Sequence, residues 1–198
     1  MLKEKIRFLK ECLRISNAEE IYRRYFVMNM FDGALTALGI VVGAYFSGAS
    51  SPKVILGAVL GAGLAMGLSG FSGAYMAERA ERLRKLDELR RAMLKDLNNS
   101  IHEKAARLTS IWAALIDGAS PLLAALLSIF PFLLSLTGLI SVQTAARASV
   151  AAIMVLLFLI GMFLGKISRE NLIFSGAKMI FVGAVTAILV MIGSSYLS

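Results

Sequence analysis

The sequence predicts an all-α, polytopic membrane protein with five transmembrane helices and a short cytoplasmic helical extension between helices two and three. Composition is the first reason: 58% of the 198 residues are hydrophobic and 17% are charged. The mean hydropathy of +0.74 lies far above that of a soluble domain, which excludes a soluble enzyme. The second is distribution, because the apolar residues gather into runs at 26–47, 54–77, 108–136, 148–165 and 171–195. Each is near or above the ~20 residues that cross a hydrocarbon core as a helix. The third is the single cysteine, Cys12, which has no intrachain partner, so helix packing must hold the fold.

Residues 1–25 are expected to be an interfacial amphipathic segment of the mature protein. Charges run through them, and no apolar stretch precedes a small-residue cleavage site. Leu2, Ile6, Leu9 and Leu13 share one helical face, while Lys3, Lys5, Arg7, Lys10 and Arg14 surround it. The net charge of +8 therefore points to anionic membrane lipid. Nucleic acid is not an expected partner, since base-reading and stacking groups are missing. Helices one and two fill 26–77, a charged cytoplasmic subdomain fills 78–107, and helices three to five fill 108–198. Leu86, Leu89, Met93 and Leu97 keep helical spacing, so helix two is expected to continue beyond the membrane until Asn98-Asn99 breaks it. Ser100 and Glu103 then form a capping-box pattern. Helix three contains Pro121 and Pro131, each of which removes a backbone bond, and Pro121 frees the carbonyl of Asp117.

Lys and Arg are divided very unevenly among the connecting segments: alternate segments hold 18 and 2. The positive-inside rule places the N-terminus, residues 78–107 and the 166–170 turn in the cytoplasm, and the C-terminus outside. An integral protein of a prokaryotic cell membrane is expected.

Two carboxylates lie inside spans, Asp32 and Asp117, and each heads an Asp-Gly-Ala tripeptide. Charge within a membrane is costly enough to suggest function. At ~1.5 Å per residue, Asp32 falls roughly 9 Å and Asp117 roughly 13 Å from the cytoplasmic start of its apolar run, so the two could share a depth. The plainer alternative is that one neutralises Lys178, or stays protonated and bonds a neighbouring helix. Tyr25, Asn29, Asp32, Thr36, Gly39 and Gly43 form one stripe of helix one, a face that must be buried or wet. Helix two carries Gly57 with Gly61 and Gly63 with Gly67, a spacing that allows close backbone approach. Met66 shares a face with Gly70, Gly73 and Ala77 that leads towards Glu81. A thioether beside carboxylates suits a first-row transition metal better than Mg²⁺ or Ca²⁺, although packing is the commoner role of a methionine. Glu78 and Glu81 could share a cation, but Arg82, Lys85 and Arg91 follow Glu78, Glu81 and Asp87 by four residues, the pattern of a solvated helix. His102 also invites a metal assignment, while its neighbour Glu103 has the capping role.

The segment from Tyr25 to Gly39, YFVMNMFDGALTALG, followed by Gly63-Leu-Ala-Met66-Gly and a charged stretch, resembles the vacuolar iron transporter family, in particular its short archaeal members. Gly118-Ala-Ser-Pro121 and Gly176-Ala-Lys178-Met extend the resemblance along the chain. It implies five helices, a homodimer with the ion path between subunits, and export of Fe²⁺ or a similar ion such as Mn²⁺ in exchange for protons. It also implies that Asp32 and Met66 line the path, and no permanent cofactor is expected besides the transported metal. Many members have a Gly-Glu pair where this chain has Ser69-Gly70, and their cytoplasmic metal-binding domain is larger. Two other classes compete. Gly67-Leu-Ser69-Gly70 and Gly70-Phe-Ser72-Gly73 read as serine-protease motifs, yet the one histidine lies outside the membrane, away from any such nucleophile. A non-transporting membrane scaffold is the other.

Overall fold

A computed structural model describes residues 18–49, 51–94, 97 and 100–197. The expected interfacial helix up to residue 17, with Cys12, lies outside the described residues, as do Asn98 and Asn99. Five helices follow in order: α1 (Ala18–Phe46), α2 (Pro52–Met93), α3 (Ile101–Leu136), α4 (Val142–Ser168) and α5 (Leu172–Leu197). All five are long and apolar enough to cross a membrane.

The helix ends are set by local chemistry rather than by the apolar runs. α1 begins at Ala18 instead of residue 26, with Glu19 and Glu20 in its first turn, where the positive end of the helix dipole favours them. α2 stops at Met93, short of the expected Asn98-Asn99 break, and Leu94 takes a left-handed φ of 49°. The Ser100 hydroxyl caps α3 by accepting the Glu103 N–H at 3.3 Å, whereas the Ser100 N–H bonds the Leu97 carbonyl at 3.1 Å, so only the serine half of the capping box forms. α4 starts at Val142 rather than 148, because Ser141 adopts extended geometry and its hydroxyl accepts the Thr144 N–H at 3.2 Å.

The chain divides into two compact units, each with its own interior. The larger comprises Val27–Gly67 and Ser120–Ser198. Its core is built from Met30, Ala34, Leu38 and Val41 of α1, Ile55 and Val59 of α2, Ala125 and Phe132 of α3, and Ile153 and Leu157 of α4. Small residues let these helices approach closely. A β-carbon on Gly33 would lie 2.7 Å from Pro121 Cα, and one on Gly63 would lie 2.7 Å from Ala125 Cβ. One on Gly161 of α4 would lie 2.7 Å from Gly176 Cα of α5. Gly57 and Gly61, in contrast, face open space. Three of the glycines singled out on helix two thus differ in role: Gly63 packs against α3 within the protomer, while Gly57 and Gly61 remain available. Gly63→Leu is therefore expected to destabilise the protomer by roughly 1–3 kcal/mol through overpacking. Gly57→Leu meets nothing within 4 Å inside the protomer, so it should lower the melting temperature in detergent by less than Gly63→Leu does. Equal melting temperatures for the two variants would contradict this packing.

The smaller unit comprises Met1–Phe26 and Leu68–Ala119, of which residues from Ala18 onward are described. Ala74, Leu86, Ala105, Ala113 and Ala114 are buried there, together with the polar Glu78, Thr109, Ser110 and Asp117. Its outer face carries the expected ladder of ion pairs. Arg84 and Lys85 pair with Glu81 at 3.1 and 3.2 Å, and Arg91 pairs with Asp87 at 2.8 Å. Such exposed pairs contribute little stability each and chiefly keep the extension of α2 solvated.

Candidate metal-ion path

In the larger unit, α1 turns Ala34, Leu38 and Val41 inward. The helical period therefore carries Asp32 to the opposite side, where it is exposed. Asn29, Thr36, Gly39 and Gly43 on the same stripe are half-buried. Gly39 and Gly43 lie against Val190 of α5, where added β-carbons would meet its methyls at 3.9 and 3.5 Å. Met66 of α2 is also half-buried. Asp32 and Met66 thus occupy partly open positions on two apolar helices of one unit. Lys178, weighed above as a neutralising partner for a buried carboxylate, lies 3.5 Å from Glu170 and 4.8 Å from the Phe174 ring. Its charge is matched by a carboxylate of the connection between α4 and α5.

In the smaller unit, Asp117 is only 5% exposed. Its carboxylate lies directly against the α2 backbone: a β-carbon on Gly70 would fall 2.6 Å from Asp117 Oδ2 and 3.4 Å from the Asp117 carbonyl oxygen. At Gly70 the resemblance described above implies a glutamate. A carboxylate therefore occupies this neighbourhood after all, delivered from α3 instead of α2. Nothing in the one-dimensional pattern reveals that pairing, although Pro121 and the repeated Asp-Gly-Ala single out the residue.

Glu78 is 6% exposed. The Tyr25 hydroxyl donates to its Oε1 at 3.2 Å, and Arg82 Nε approaches its Oε2 at 3.4 Å. The tyrosine's part in holding Glu78 was not legible in the sequence, since 53 residues separate the two. Glu81 points outward, and hydrogen bonds from Arg84 and then Lys85 hold its carboxyl below the usual carboxylate range. Glu78 and Glu81 therefore each have their own cationic partners, and capture of a metal ion by either requires displacing a guanidinium or ammonium group. Ser72 donates to the Leu68 carbonyl at 2.7 Å, an ordinary back-bond within its helix. Among the described residues, no group of three or more His, Cys, Asp or Glu side chains is close enough to hold a metal ion, His102 and Glu103 included.

The sequence profile of the VIT family matches residues 80–194. The chain belongs to the VIT family. Its members are membrane metal-ion transporters. This VIT-family chain is also 40% identical over 187 residues to an uncharacterized protein of Methanocaldococcus jannaschii, an alignment that covers 92% of this chain and 93% of that one. Near-complete coverage in both directions fits a short archaeal-type VIT protein. Integral membrane placement follows from the five apolar helices together with VIT membership.

Proposed function

We propose that this protein exports a divalent transition-metal ion from the cytoplasm in exchange for protons, with Fe²⁺ the best-suited cargo, Mn²⁺ a further one, and no permanent cofactor. It works as a homodimer whose two copies line the path with Asp32, Asn29 and Met66. The observation that carries this reading is the exposure of Asp32 on a membrane-spanning helix. An ionised carboxylate is not left against hydrocarbon, so the face that bears it meets water or a second copy of the chain. The open faces of Gly57 and Gly61 support close approach by that second copy. Carboxylate and amide oxygens beside a thioether favour Fe²⁺, Mn²⁺ or Co²⁺ over Mg²⁺. Because a carboxylate holds either a proton or a cation, binding of one releases the other, which is the elementary step of an exchanger.

The test is uptake of Fe²⁺, Mn²⁺, Co²⁺ and Mg²⁺ into proteoliposomes at two pH values. Transition-metal uptake driven by an opposing proton gradient is expected, with Mg²⁺ excluded. Uptake that ignores the proton gradient would remove the exchange step. The proposed orientation has its own measurement: a reporter fused after Ser198 should be extracytoplasmic, and one inserted near Asn98 should be cytoplasmic. A cytoplasmic C-terminus would contradict export as drawn.

A further inference from the structure

Within the smaller unit, α2 and α3 enclose a cavity of about 270 Å³ whose polar lining is Tyr75, Arg79, Arg82, Glu103, Arg107 and Ser110. Three guanidiniums and one carboxylate line it. On the outer face of α2, Arg84, Lys85 and Arg91 each have an acidic partner. Arg79 and Arg107 have no carboxylate partner among the described residues. Arg79 is instead steadied by Tyr75, whose hydroxyl accepts from Nη1 at 3.2 Å and whose ring centroid lies 5.8 Å from the guanidinium carbon. Arg82 is anchored from behind, because its Nε reaches Glu78. The arginines therefore converge on a space wide enough for a phosphate group, and two of them are held in place before anything binds.

We infer that this cavity is a binding site for a phosphate-type anion. Arginine forks match the tetrahedral oxygens of a phosphate ester, and a site with pre-positioned guanidiniums loses little side-chain entropy on binding. The cavity also sits where both helices leave their apolar runs, since Tyr75 closes the run of α2 and Ser110 opens that of α3. That is the depth of lipid headgroups, and basic pockets between helices at this depth bind anionic lipid. The same chemistry would accept free phosphate from solution.

The experiment uses the full chain in nanodiscs. Retention of phosphatidylglycerol from mixed phosphatidylglycerol and phosphatidylcholine bilayers is counted by native mass spectrometry. Binding of inorganic phosphate is measured separately in pure phosphatidylcholine discs. The variants are Arg79→Gln, Arg107→Gln and their double, with Lys104→Gln as the control for general surface charge. Arg82 is left intact because it holds Glu78. Melting temperature in phosphatidylcholine reports folding of each variant, and the exposed positions chosen should leave it unchanged. Retention of phosphatidylglycerol that falls about tenfold in the double variant, and not in Lys104→Gln, identifies a lipid headgroup site. Phosphate binding with the same dependence on Arg79 and Arg107 identifies a free-anion site. Either result supports the inference. It is overturned if neither probe binds, or if Lys104→Gln weakens binding as much as the arginine substitutions do.

Discussion

Asp32→Asn is expected to abolish metal uptake into proteoliposomes while the protein stays folded and dimeric. Asparagine keeps the size and most of the hydrogen bonding of aspartate, so the half-open stripe of α1 keeps its shape and loses only its charge. Flux should fall by well over about tenfold, given that even outer partners of metal ligands commonly cost 10–100-fold. Met66→Leu conserves volume and removes only the thioether, so it should lower the preference for Fe²⁺ over Mg²⁺ more than it harms assembly. The pair of measurements separates two failures. If Asp32→Asn transports normally with unaltered pH dependence, the exchange mechanism is wrong. If both variants lose their dimer, the substitutions report packing and not the path.

Gly70→Glu is expected to be severely destabilising in this chain, although the resemblance described above implies a glutamate at that position. Its β-carbon would collide with Asp117 Oδ2, at 2.6 Å, and a second carboxylate would be forced beside the first. Overpacking alone costs roughly 1–3 kcal/mol, and the confined like charges add to it. Melting temperature in detergent should therefore fall from wild type to Gly70→Ala to Gly70→Glu. Adding Asp117→Gly to Gly70→Glu should recover much of the loss, because it vacates the space and removes one charge. An unperturbed melting temperature for Gly70→Glu alone would show that Asp117 does not occupy this position. The companion Asp117→Asn variant, which keeps the packing, separates roles: loss of metal flux with normal melting places Asp117 in the path, and normal flux leaves it a packing residue.

Much of the architecture could be read from the chain before any coordinates. Five apolar runs of sufficient length become five helices able to cross a bilayer, and the spacings of Arg82, Lys85 and Arg91 from their acidic partners appear as ion pairs. Helix ends were less legible, because α4 starts at a capping serine and α1 among charged residues, both outside the apolar signal. The polar interior of the smaller unit was hardly legible at all. Tyr25 with Glu78 and Gly70 with Asp117 join different helices, and a hydropathy pattern records which face of a helix is polar without recording which partner meets it.

The junction between α4 and α5 has a consequence for biosynthesis. Arg169 takes a left-handed φ of 58° and its N–H returns to the Gly165 carbonyl. Two residues later, the Asn171 side chain accepts from the Ile173 and Phe174 N–H groups at 3.0 and 3.3 Å. One helix is thus terminated and the next initiated by atoms within a single short turn. Gly161 and Gly165 already face Ser175 and Gly176 across it. Loop closure over so short a span costs little entropy, and contacts so near in sequence form early. The last two spans can accordingly leave the translocation machinery as one preassembled hairpin, the second sheltering the glycine seam of the first from lipid as soon as both are made.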